Sequence, residues 1–299
     1  MESPVSDGAD TNAPASQSLV GVKLAEPERS VWRRRRVLWP AAGLVVILLA
    51  MGASWPWMAP YLRLMAAQWN VRDAHSKVVA GNLPAALVEL DEAVAWAPEH
   101  PAVYYQRAHV RFELHDMPGS LADFNKVIRI NPYFADAYAG RGAVRQRIGQ
   151  HRKAIDDLTK VIELRPETDP EPWNSRAYAR ALAGIELKEG LADVERAILL
   201  AGQDQPHILD TRGYLLHLSG QQKPALADLN KAIKLAEAQH RQALAQSLPP
   251  ATIRSFGRAL AVMHHHRGLV KGSLGQSAAA AADLKKGKDL GYDPAKGVY

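Results

Sequence analysis

Three consecutive histidines, His264, His265 and His266, stand in the stretch VMHHHRGLVKG (residues 262–272) of a 299-residue chain that has no cysteine. Imidazoles are ligands and proton carriers, so this run is the first place to look for chemistry. On a helix, successive side chains point about 100° apart, and three in a row do not converge on one ion. Chelation from a helix uses i, i+4 spacing, as in H-E-x-x-H, and no carboxylate or further histidine stands four residues from any of the three. No metal and no cofactor are expected. The chain also lacks a G-x-S-x-G elbow, a Gly-rich phosphate loop and a thiol, so no catalytic residue is expected either.

A second group of residues pairs charge with charge. Arg107, Arg141, Arg176, Arg212 and Arg267 are followed 16 or 17 residues later by Asp123, Asp157, Asp193, Asp228 and Asp283. Five co-occurrences point to ion pairs, within one structural unit or across a joint, rather than to independent solvated charges. A half-exposed pair of this kind is worth about 1 kcal/mol.

These arginines are held in place by a repeat. The segments Asn70–Pro98, Tyr104–Pro132 and Tyr138–Pro166 align at a shift of 34 residues, and three further segments follow with insertions. Six units begin at residues 67, 101, 135, 170, 206 and 261. A small residue holds the eighth place of each: Ala74, Ala108, Gly142, Ala177, Gly213 and Gly268. Another holds the twentieth: Ala86, Ser120, Ala154, Gly190, Ala225 and Ala280. Two antiparallel helices need small residues where they touch, and Pro98, Pro132 and Pro166 stop the second helix before the next begins. The arginines occupy the seventh place. The first unit has Asp73 there, and Glu89 where the others have aspartate.

This pattern resembles the tetratricopeptide repeat, over residues 67 to 294. The resemblance implies an all-α solenoid of about six helix pairs, spanning 63–294, with a short tail at 295–299. Neighbouring units would bury each other's apolar faces, and the first helix of each pair would line a concave groove. By the same resemblance, Tyr105, His109 and Phe112 are groove residues. So are Asn174, Tyr178, Asp210, Tyr214, His217 and His265. They would offer an aromatic and imidazole strip to a protein or peptide ligand, although such residues also occur on any solenoid surface. The paired lysines and asparagines with which some family members clamp an acidic C-terminus are not recognisable, since only Asn174 holds a comparable place. His264 takes the place of an opening aromatic and is expected to pack. Residues 236–260 are an insertion, expected to lengthen one hairpin and project it from the array, with a break at Pro249-Pro250.

The N-terminus reads differently. Residues 1–30 are Ser-, Ala- and Pro-rich with no apolar period, which suits a disordered tail. Residues 31–62 hold Arg33–Arg36 and then a run from Val37 to Leu62 with no charged residue. That run is long enough for a transmembrane helix of about 20 residues. Tryptophans and a tyrosine stand near both ends, as interfaces favour, and the arginines precede the span. The expectation is a single retained span with the N-terminus cytoplasmic and the array on the far side. A cleaved signal peptide or a twin-arginine export signal remains open as an alternative.

The net charge of +6 includes those four arginines, so the array is only mildly basic and nucleic acid is not an expected partner. What the sequence supports is a membrane-tethered repeat scaffold that binds a protein or peptide; the alternatives are an exported periplasmic repeat protein after signal cleavage and an envelope-assembly chaperone-like factor. It leaves the oligomeric state open.

Overall fold

The computed structural model describes residues 55–165 and 169–293. Within them are twelve helices in six antiparallel pairs, and no strand. They are α1 (Trp55–Val79) with α2 (Leu83–Trp96), α3 (Pro101–Glu113) with α4 (Met117–Ile130), and α5 (Ala135–Arg147) with α6 (His151–Leu164). The second half continues with α7 (Glu171–Ala183) and α8 (Leu187–Ala201), α9 (Pro206–Leu218) and α10 (Gln222–Ala245), and α11 (Pro250–Ser273) and α12 (Ser277–Asp289). The expected tails at 1–30 and 295–299, the basic flank and the membrane run up to residue 54 lie outside the described residues. Among the described residues, no helix is long and apolar enough to cross a membrane.

The turn inside each pair is made in a similar way, with one left-handed residue in five pairs and two, Gly184 and Glu186, in the fourth. The left-handed backbone reverses the chain at the end of the first helix. The residue is Gly149 (φ 76°) in the third pair, and His115 (φ 63°) in the second, where a side chain bears the strain. Second helices then start on side-chain caps in two cases: Asn82 Oδ1 accepts from Ala85 N at 3.2 Å, and Asp116 Oδ1 from Gly119 N at 3.0 Å.

The described residues share no single core. Apolar residues bury in small clusters that straddle neighbouring pairs. Tyr104, Ala108, Phe124 and Val127 meet Ala137 and Val144 across the second joint, and Ala177, Ala181 and Val194 meet Ile208 and Leu215 across the fourth. The eighth-place alanines Ala108 and Ala177 are fully buried, because there the two helices of one pair come closest.

The insertion departs from expectation. It lengthens α10 and α11 to 24 residues each, against 13 to 15 for α2–α9. The extended helices pack together through the His240 and Phe256 rings, with centroids 6.3 Å apart, and through buried Ala243. However, α11 does not stand clear of the array. Its first half runs along the inner face, so that Ser255, Arg258, Ala259 and Val262 come opposite the ends of α3 and α5. Of the two lengthened helices, α11 is the first of its pair, and first helices line the inner side, so lengthening it feeds chain into the groove.

Candidate functional site

The arginines show how the units are joined. Arg107 donates from Nε to Asp123 Oδ2 at 2.9 Å and from Nη2 to Oδ1 at 2.7 Å, a two-point fork within its own pair. Arg176, Arg212 and Arg267 repeat the fork on Asp193, Asp228 and Asp283 at 2.6–2.8 Å. Arg141 Nη2 donates to Asp157 Oδ1 at 2.6 Å. The remaining guanidinium nitrogen reaches back across the joint. Nη1 of Arg107, Arg141, Arg176, Arg212 and Arg267 donates to Asp91, Asn125, Thr159, Glu195 and Asn230, at 2.7 to 3.1 Å. Each acceptor stands two residues after the acidic residue of the preceding pair's second helix. One side chain therefore ties together three helices.

Two supports for this ladder escaped sequence reasoning. A second cation, four residues after the arginine, binds the same aspartate: Arg111 at 2.8 Å, Arg145 at 2.7 Å, Arg180, and Lys271 at 2.7 Å. The signal was present, as a basic residue one helical turn on in four of five units. The fifth has Leu216 there, and Asp228 is correspondingly the least enclosed of the aspartates. In the first unit Lys77 bridges Asp73 and Glu89. The opening aromatics also gain a reason: Arg107, Arg141 and Arg176 lie 5.1–5.4 Å above the rings of Tyr104, Tyr138 and Trp173.

The three histidines take three separate partners. His264, fully buried, sets Nδ1 3.1 Å from Asp283 Oδ1, and His266 sets Nδ1 3.0 and 3.1 Å from the two oxygens of Asp210. Carboxylate oxygens only accept, so both Nδ1 atoms carry the proton. His265 stacks on Tyr292 at 4.1 Å. Burial, and then the neighbouring His266, hold its pKa down to about 4. Among the described residues, no three His, Asp or Glu side chains gather as a metal site.

The structure divides the groove residues into two groups. Tyr178 and Asp210 are buried at 6% exposure, and Asn174 at 7%. Tyr214 stacks flat on His266 at 4.1 Å. Burial and the charge of Asp210 push its hydroxyl pKa up. Here α11 covers the inner face. A cavity of about 200 Å³ remains between Asn174, Tyr178 and Asp210 on one side and Ala259, Val262 and Met263 on the other. His217 donates from Nδ1 to Gln222 Oε1 at 2.7 Å and so secures the turn into α10.

The other group is open. Tyr105 and His109 pack edge to face at 4.6 Å over buried Phe124, and His109 is exposed. Phe112 lies under the Arg147 guanidinium at 5.9 Å. With Glu113, His115 and the α11 residues Arg258 and Val262, these two line a cavity of about 270 Å³. Tyr105 and Tyr214 therefore do not form one uninterrupted accessible strip, because α11 lies over the second half.

The tetratricopeptide repeat family model matches residues 135–168, the pair α5–α6 with its flanks. The structure of MamA (residue 41 to the end) from Desulfovibrio magneticus RS-1 superposes with a TM-score of 0.53 at 21% identity, over 58% of this chain and 97% of that one. The fold is that of the tetratricopeptide-repeat proteins. PilW, described as a widely conserved type IV pilus biogenesis factor, superposes with a TM-score of 0.55 at 14% identity, over 76% of this chain and 94% of its own. A tetratricopeptide repeat protein from Parabacteroides merdae ATCC 43184 gives 0.52 at 18% identity, over 77% of this chain and 94% of that one. No curated protein matches the sequence significantly.

Proposed function

We propose that the chain is a membrane-anchored scaffold whose repeat array, on the extracytoplasmic side, binds a segment of a protein partner on its inner face. The charge-free run 37–62, with Arg33–Arg36 before it, supports the anchor and its direction. The observation that carries the binding reading is the open cavity of about 270 Å³ between α3, α5 and the first half of α11. It is concave, has an aromatic wall in Phe112, and offers opposite charges in Arg147, Arg258 and Glu113. That combination suits an extended peptide with one apolar side chain. The covered second half, around Tyr178 and Tyr214, stiffens the array and presents α11 as the cavity's far wall.

A photocrosslinking residue placed at Glu113 in the full chain, in native membranes, tests this. A discrete adduct is expected, lost when Phe112→Ala and Arg147→Ala are added, with none from the same label at Lys285 on α12. Equal labelling from both sites would overturn the reading.

A further inference from the structure

The outer face of α1 is unusual for the first helix of an array. Its inner face is spent on packing: Ala67 and Ala74 are buried at 1% and 2% exposure, against Ala93 and Val103 and against Ala86 and Leu90. On the opposite side, Tyr61, Met65 and Trp69 recur every four residues, at 58%, 49% and 62% exposure. A terminal repeat facing water carries a polar outer surface. This one exposes two aromatics and a thioether in a row.

Chemistry and position identify what covers them. The charge-free run from Val37 ends at Leu62, one residue beyond the first member of the stripe. Trp69 is seven residues further on, about 10 Å along a helix. The headgroup region on each side of a bilayer is about 5–8 Å deep. Tyrosine and tryptophan are the residues that region prefers, with basic side chains reaching to the phosphates. Arg63 and Arg72 flank the stripe, both exposed, and no Asp or Glu occurs anywhere between Glu28 and Asp73. A water-facing or protein-facing helix surface has no need of that gap. An anionic lipid surface does.

We propose that the Tyr61–Met65–Trp69 face of α1 rests in the headgroup region of the bilayer, so that lipid takes the place of a capping repeat. The proposal rests on the membrane attachment proposed above. It adds that the first repeat is held against the surface, not merely tethered near it.

The absence of cysteine makes the test clean. Single variants Val45→Cys, Met65→Cys, Trp69→Cys and Leu199→Cys of the full chain are labelled with a small fluorophore. They are then reconstituted in vesicles of neutral and anionic phospholipid. Leu199 is an exposed apolar residue on α8 and serves as the aqueous reference. Labels at 65 and 69 are expected to lose intensity to a headgroup-attached quencher and to be shielded from iodide, and the label at 199 the reverse. Quenching at 45 by an acyl-chain quencher, without headgroup quenching at 65 and 69, overturns this inference and leaves the anchor standing. No quenching at 45 by an acyl-chain quencher removes both. Disulfide-linked dimers of the unlabelled Trp69→Cys variant, with no lipid quenching of the labelled one, would assign the face to a second copy of the chain and overturn the proposal.

Discussion

At the scale of single residues, the unit of construction is an arginine that no longer behaves as a surface charge. Asp157 is 3% exposed and receives Arg141 and Arg145. Removing one donor strands part of a desolvated carboxylate, so Arg141→Leu should lower unfolding free energy by about 1–3 kcal/mol. A double-mutant cycle with Asp157→Ala should show coupling of about 1 kcal/mol or more. Additive losses in urea unfolding would mean that the ladder has no energetic content. The histidines make a pH prediction. The folded chain holds His265 at about 4, by burial first and His266 second, against an ordinary 6.5. Between those values the unfolded chain binds a proton that the folded chain refuses. Stability therefore falls as pH drops from 6.5 towards 4. Burial lowers His264 as well and acts in the same direction. Asp283 acts lower still. Burial opposes its ionisation, but hydrogen bonds from Arg267, Lys271 and His264 outweigh that and hold its carboxyl well below the usual range. Its contribution is present above the ordinary carboxylate pKa and is lost only in stronger acid. His265→Phe keeps the stack on Tyr292 and should flatten the slope of unfolding free energy between pH 7 and 4.5. An unchanged slope would mean that the proton is taken up elsewhere.

At the scale of elements, the eighth-place glycines are not equivalent, although the repeat aligns them. A methyl group on Gly213 would lie 2.7 Å from Leu229 Cγ and 3.2 Å from the Ala225 carbonyl oxygen, which is backbone. On Gly142 its nearest neighbours are at 3.5 Å, ordinary contact. Gly213→Ala should therefore cost about 1–3 kcal/mol through overpacking. Gly142→Ala should be neutral or stabilise by up to about 1 kcal/mol, because alanine suits a helix interior better. Thermal unfolding of the two variants checks the opposite signs. The same distances show why sequence could align the pairs without ranking their closeness. A small residue marks a close approach, but the size of the gap depends on the rotamer of the leucine across it.

At the scale of the whole molecule, the array has no global core, and its joints are bridged by guanidinium groups and small apolar clusters. Each pair is then supported chiefly by its neighbours. The proposed placement predicts topology. A reporter fused after Tyr299 should be active only outside the cytoplasm, and the mature chain should begin before Val37. Cytoplasmic activity of the fusion would refute the direction of insertion, and an N-terminus near Ser54 would refute retention of the span.

The sequence alone determined the period, the helix pairing and the coupling of the seventh-place arginines to aspartates, though not their acceptors across the joints, because those depend on spacing along one chain and recur from unit to unit. Side chains 16 residues apart in a tight helical hairpin face each other whatever else the protein does. What lies within α3, including Tyr105 and His109 on one helix turn, was legible for the same reason. The course of α11 was not. An insertion occurs once, so no period reports it, and its amphipathic pattern states that one side is buried without stating against what. Only the tertiary structure lays that side over Tyr178 and Tyr214, joins His266 to Asp210 across 56 residues of sequence, and leaves Phe112 and Arg147 open. Long-range contacts of that kind depend on how successive pairs rotate against one another, a sum of small packing angles that no single stretch of sequence carries.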